Sequence, residues 1–284
     1  MVRIIAIFTG LIFIFVLVLG AVTGLIDAAG AEESASDKIK HECHKHAKDV
    51  NWYWEGNLGL GVLGGFDRPQ LQRGMQVYRE VCSSCHGLEQ VAFRNFTELG
   101  FTPEEVKVIA NEWPIPVASI NPDTGEADTR PAEPADRVPS PYPNDVAARA
   151  ANNNAMPPDM SLLAKSRPGG ADYLYSLITG YEELPADFPE EAVQEGLNYN
   201  PYFHSLWIAM PPLLSDGIIQ YAEGQPEATV DQMGQDVAAF LTWAAEPKME
   251  ERKQAGIGVI VFLLIATSLA YLSYRRVWAD VKGH

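Results

Sequence analysis

Two thiols and an imidazole packed into five residues, Cys82-Ser83-Ser84-Cys85-His86, constrain this chain more than any other feature of it. Cys-x-x-Cys-His is the spacing at which a chain attaches a c-type haem. The two thiols reach the two vinyl groups of one porphyrin. On a helical turn, a side chain four positions after the first thiol leaves from the same face. His86 occupies that position. One covalent haem c, with His86 as an iron ligand, is therefore predicted. A zinc site would need four ligands, usually a second close Cys/His pair, and none follows here. A thioredoxin-like pair would close a strand in a βαβ pattern, and no such pattern flanks the motif.

Two apolar segments bound the remainder. Residues 4–26 are almost wholly apolar, with Arg3 before them and Ala29-Gly30-Ala31 after them as a small-residue cleavage pattern. A signal peptide over residues 1–31 is predicted, with a retained anchor as the alternative. Residues 255–274 carry no charge and have the length of a bilayer span. Arg275, Arg276 and Lys282 follow them, whereas the basic residues before them are mixed with Glu246, Glu250 and Glu251. The positive-inside rule puts the tail, 275–284, in the cytoplasm and the bulk of the chain outside. The expected organisation is a polar leader at 32–55, a haem domain at 56–246, a juxtamembrane linker at 247–254, then span and tail. The net charge is −16, which repels nucleic acid and steers basic partners. Of three cysteines the haem takes two, so Cys43 has no partner for a disulfide within the chain.

Between the ends the pattern is mostly α, a cytochrome c-like haem domain with long loops and a C-terminal transmembrane helix. His41-Glu42-Cys43-His44-Lys45-His46 sits in the leader; it could bind metal but reads as a flexible exported stretch, and Gly-rich residues 56–65 read as a loop. Asp67 opens a helix with Gln70 as capping-box partner, and Leu71, Met75, Tyr78 and Cys82 share one stripe. Thr102-Pro103-Glu104-Glu105 opens a second helix. Residues 113–143 read as surface loop. A third helix runs from Asp172 and ends at Gly180, and an acidic loop spans 182–195. Thr229 and Gln232 cap a last helix through Phe240 and Leu241, which Pro247 ends.

A low-spin electron carrier needs a sixth ligand, whereas an open position suggests oxygen or peroxide chemistry. Ala155-Met156-Pro157-Pro158 and Ala209-Met210-Pro211-Pro212 are alike, proline stiffening the chain after each methionine. Spacing does not choose between them, and His204 is a further candidate.

The haem motif is followed in order by Ala148-Arg149-Ala150-Ala151-Asn152-Asn153, Pro157-Pro158-Asp159, Gly180-Tyr181, Asn200-Pro201-Tyr202-Phe203 and Trp243-Ala244-Ala245-Glu246-Pro247-Lys248. From about Gly65 to the C-terminus this series resembles cytochrome c1, the haem subunit of the cytochrome bc1 complex, in its alphaproteobacterial form. The resemblance implies Met210 as sixth ligand opposite His86, Arg149 as a haem-propionate partner, and Asn152 and Pro157 as part of the haem-pocket loop. It also implies cytochrome b, a Rieske iron–sulfur protein as electron donor, a c-type cytochrome as acceptor, and a dimeric complex in the inner membrane with the haem domain in the periplasm. Such a subunit has no catalytic side chain of its own; the assembled complex is a quinol–cytochrome c oxidoreductase. The rivals are a haem enzyme or gas sensor with a vacant sixth site, and a membrane-tethered zinc module.

Overall fold

A computed structural model describes residues 2–30, 35–56, 64–186 and 188–279. The chain divides into two units, Met1–His44 and Lys45–His284. The first holds helix α1 (Val2–Gly30), long and apolar enough to cross a membrane, and helix α2 (Ala35–Cys43). Most of the Gly-rich loop expected at 56–65, and Lys282 of the tail, lie outside the described residues.

The second unit is built on helices α3 (Arg68–Glu80), α4 (Pro103–Asn111), α5 (Asp145–Ala151), α6 (Leu163–Ser166), α7 (Gly170–Thr179), α8 (Val230–Ala245) and α9 (Met249–Val277). Three antiparallel strand pairs punctuate them: β1 (Leu88–Ala92) with β4 (Arg137–Val138), β2 (Val117–Ile120) with β3 (Ala127–Arg130), and β5 (Asn198–Tyr199) with β6 (Trp207–Ile208). Helices dominate, as the residue pattern predicts.

Local chemistry explains most boundaries. Thr102 accepts from the Glu105 N–H while the Glu105 carboxylate accepts from the Thr102 N–H at 2.7 Å, so α4 begins in a reciprocal capping box. Those bonds hold the Glu105 carboxyl below the usual carboxylate range. Thr229 caps α8 through the Gln232 N–H at 3.2 Å. The capping box expected at Asp67 does not form: Asp67 is the N-cap of α3 but its side chain makes no capping bond. Pro69 occupies the second helical position, so one of the two amides that an N-cap oxygen can reach is missing.

The segment 113–143, expected as surface loop, carries the β2–β3 hairpin instead. Asn121 turns the chain by accepting from Asp123 N–H at 2.9 Å, and Gly125 follows at φ 75°. Each strand is four residues long and mostly exposed. That is too short for alternation to stand out among the surrounding prolines and acids.

The core sits where α3 and α7 pack on α8. Tyr78, Phe93, Phe96, Trp113, Phe240 and Trp243 form one aromatic cluster, with Phe93 edge-on to Trp113 at 5.1 Å. Gly74 lies directly against the Asp236 backbone of α8, where a Cβ would collide with the carbonyl oxygen. Beside it Asp236 is fully buried and takes Arg73 Nε at 2.9 Å and Nη2 at 3.0 Å, Tyr221 Oη at 2.9 Å and Gln232 Nε2 at 2.9 Å. Burial and this carboxylate push the Tyr221 hydroxyl far above its ordinary value.

Residues 45–55, polar in composition, lie against this body. Lys45 N–H donates to the Pro201 carbonyl, Lys48 N–H to Ser176 Oγ, and the buried Trp52 indole to Asp172 at 2.6 Å. Trp54 and Phe66 meet the first turns of α9. Lys253 Nζ donates to the Trp54 carbonyl at 2.7 Å, and Glu250 accepts from Phe66 N–H and Arg68 at 2.6 Å each.

Gly74→Ala is expected to destabilise the protein by about 1–3 kcal/mol, because the backbone of α8 must move to admit one methyl group. The urea midpoint of the solubilised protein measures it.

Candidate haem cleft

The Cys-x-x-Cys-His motif is the continuation of α3. Val81 N–H still bonds to Val77, and then Cys82–Ser84 tighten into a 3₁₀ turn. Cys85 N–H and His86 N–H both reach back to the Cys82 carbonyl, at 3.1 and 3.0 Å. The second of these closes one helical turn between first thiol and imidazole, as the spacing predicts. Ser83 Oγ ties the turn to Arg79 at 2.7 Å, and the buried Tyr78 hydroxyl donates to the His86 carbonyl at 2.9 Å.

His86 is buried, and its Nδ1 stands 2.8 Å from the Pro158 carbonyl oxygen. A carbonyl can only accept, so Nδ1 carries the proton and Nε2 is left with its lone pair. Burial lowers the histidine's affinity for a second proton, against a smaller opposing effect of the Pro158 bond and Asp159. The ring is thus a neutral, oriented ligand. Asp159 steadies the loop that orients it by accepting from Glu89 N–H at 2.8 Å and Ser161 N–H at 2.9 Å, and Met160 N–H donates to Gly87 at 2.8 Å.

Cys82, His86, Met160 and Met210 open into one cleft. Its remaining wall is apolar, from Val77, Val81, Ile178, Leu213, Leu214 and Val237, with Tyr181 at one side. Burial, with Cys85 close by, pushes the Cys82 thiol up to about 12. Cys85 is half-buried on the same turn and is not part of this wall. Met210 comes from a separate part of the chain. β5 and β6 pair Asn198 with Ile208 and Tyr199 with Trp207, and Met210 lies two residues beyond the end of β6. The turn between them is fixed by Leu206 at φ 65°, a left-handed position that costs a leucine strain. Asn200, fully buried, secures it by donating to the Leu177 carbonyl at 2.7 Å.

The structure therefore brings Cys82, His86 and Met210 together. Met156 is 40% exposed, and neither it nor the exposed His204 lines the cleft. Arg149 is exposed on α5, with Nη1 on the Asn154 carbonyl at 3.1 Å. Asn152 Nδ2 bonds to Ala148 at 2.7 Å, while Asn153 and Asn154 turn the chain at φ 50° and 63°. Pro157 is half-buried in the loop whose next carbonyl receives His86. Neither Arg149, Asn152 nor Pro157 is part of the cleft wall. Sequence reasoning missed Met160 and the Pro158 carbonyl, because a single methionine and a backbone oxygen carry no motif.

The donor set suits a haem. A neutral imidazole and a thioether are donors that a haem iron would take, two thiols close to the imidazole could form thioethers, and an apolar wall excludes water.

Tyr78→Phe keeps the aromatic packing and leaves the His86 carbonyl without its donor. It is expected to cost about 1–3 kcal/mol of stability, read from thermal unfolding followed by circular dichroism.

The model of the cytochrome C1 family matches residues 59–281 of the chain. Cytochrome c1 of Rhodospirillum rubrum is 45% identical over 250 residues, 84% of this chain and 88% of that protein. A mitochondrial cytochrome c1 haem protein of Solanum tuberosum is 47% identical over 224 residues, 78% of this chain and 84% of its own length. A Bradyrhizobium diazoefficiens protein named cytochrome b/c1 is 44% identical over 239 residues, 78% of this chain but 34% of that protein.

Proposed function

The chain belongs to the cytochrome C1 family of electron-transfer haem proteins, and from that premise we propose that it accepts single electrons from a Rieske iron–sulfur protein and delivers them to a c-type cytochrome within a cytochrome bc1 complex. The observation that carries the reading is the single cleft into which α3 delivers Cys82 and His86 and the β5–β6 pair delivers Met210. Cys82 and Cys85 would bond a haem c there, with His86 and Met210 as its iron ligands, and it would supply a reversible one-electron couple at a potential that His/Met ligation raises. The chain's own residues do the rest. Pro158 holds the His86 tautomer, Met210 offers a thioether from the β5–β6 side, and the apolar wall excludes water. Arg149 and Asn152, on and just after α5, and Pro157 are assigned to the loop beside the propionates on family resemblance. No side chain needs to move a proton.

The helix α9, 29 residues long and apolar, serves as the membrane anchor. Arg275 and Arg276 at its end favour a cytoplasmic tail and a periplasmic haem domain. The family resemblance supports cytochrome b as the membrane neighbour and a dimeric assembly; the Bradyrhizobium relative is named for both cytochromes.

The acidic loop at 182–195 is a docking site for a basic partner. The chain enters it at Tyr181 and leaves it at Asn198, both bonded to the Met210 carbonyl, and Glu190, Glu191 and Glu195 within it are exposed.

The absorption spectrum of the matured protein, with and without carbon monoxide, tests the haem reading. A sharp reduced α band, haem that resists acid–acetone extraction and no gas binding are expected. Met210→Leu should lower the potential and admit carbon monoxide; the same result from Met156→Leu instead would refute the ligand assignment. Electron transfer to a basic cytochrome should slow by about tenfold as salt is raised, since steering of this kind is screened. Stopped-flow rates for Glu190→Gln/Glu191→Gln should show a weaker salt dependence.

A further inference from the structure

We propose that Tyr181 and Asn198 are the positioning residues of the sixth iron ligand, clamping Met210 through its backbone carbonyl; this rests on Met210 being that ligand. The Tyr181 hydroxyl donates to the Met210 carbonyl at 2.8 Å, and Asn198 Nδ2 reaches the same oxygen at 3.3 Å and the Ile208 carbonyl at 3.4 Å. A carbonyl has two lone pairs, and here each has a donor.

The carbonyl is the place where such a clamp is needed. A methionine side chain has three rotatable bonds and does not define its own position. Pro211 and Pro212 follow it, so the next two residues have no N–H with which to tie the loop down. The Met210 carbonyl belongs to the peptide that joins it to Pro211, and fixing that oxygen fixes the peptide plane from which the side chain springs.

Both donors are referred to one helix. Tyr181 follows Gly180 at the C-terminus of α7. Asn198 lies on β5, and two residues on, Asn200 is bonded to Leu177 of α7 at 2.7 Å. The ligand loop is thus pinned at two points to the element whose Ile178 also lines the cleft. The arrangement has a second effect. A tyrosine hydroxyl in an otherwise apolar wall could hold a water against the metal, but this one is spent on a backbone oxygen.

The measurement uses the full-length, haem-loaded protein in detergent. Tyr181→Phe keeps the ring and removes the hydroxyl; Asn198→Leu keeps the approximate shape and removes the amide. Losing one such bond should raise the fraction of time that the sixth position is open by about three- to tenfold. Carbon monoxide association with the reduced protein should rise by that factor, with a lower midpoint potential and a weaker methionine–iron charge-transfer band in the oxidised form. Tyr175→Phe is the control. Tyr175 donates to Asp231 from the same helix, away from the cleft, so its loss should move thermal stability and leave all three readouts at wild-type values. If Tyr181→Phe does not accumulate, Asn198→Leu carries the same expectation alone. Should Met210→Leu open the site while Tyr181→Phe and Asn198→Leu behave as wild type, the clamp is wrong and the ligand assignment stands. Should Met210→Leu leave gas binding unchanged, the ligand assignment itself falls.

Discussion

The close crossing of α3 on α8 sets the position of everything in the haem cleft. At Gly74 one helix touches the backbone of the other, and such contact is available only where a side chain is missing. The crossing carries the C-terminal end of α3 towards Val237, so the first thiol emerges beside the wall it has to share. Arg73 and Asp236 secure the register next to it. A buried ion pair is a weak source of net stability, but losing one partner is costly, so it favours one register over its neighbours. Tyr221 and Gln232 fill the remaining acceptor capacity of Asp236, which is why a fully buried carboxylate is tolerated there.

The two halves of the site are built by opposite means. On the histidine side one turn of chain closes Cys82 to His86, and a single carbonyl from the distant 157–160 loop selects the tautomer. On the methionine side no helical turn sets the position. Met210 depends on a strand pair two residues long, a strained Leu206 and a buried asparagine. Behind Met210 the backbone is held by hydrogen bonds from Tyr181 and Asn198.

This asymmetry also explains what the residues alone disclosed. The haem motif, the caps at Thr102 and Thr229, the end of α7 at Gly180 and the apolar span of α9 are decided within a few residues, and all were legible. Met156 and Met210 could not be separated by their surroundings, since Pro-Pro follows both. What separates them is that 210 is delivered to the cleft by β6 whereas 156 stays half-exposed on its loop. Pairing between strands of two to four residues leaves no period to read, and so the hairpin at 117–130 was taken for loop. Asp67 shows the reverse failure: the local pattern is present, yet with Pro69 leaving only one amide in reach its side chain makes no capping bond. Residues 45–55 looked like leader because their polar side chains dominate, while what holds them is mostly backbone together with one buried indole.

The foot of the domain continues the same logic into the membrane anchor. Pro247 interrupts the path from α8 to α9, and a break of that kind could leave a flexible tether. It does not, because α9 begins at Met249, several residues before its apolar stretch, and those first turns are bonded to the body. Glu250 satisfies Phe66 and Arg68, Lys253 satisfies the Trp54 carbonyl, and Met249 is buried in the core. Helix α9 is thus an extension of the haem domain: the bonds of its first turns carry the packing of the body across the break at Pro247 and into the apolar stretch that follows.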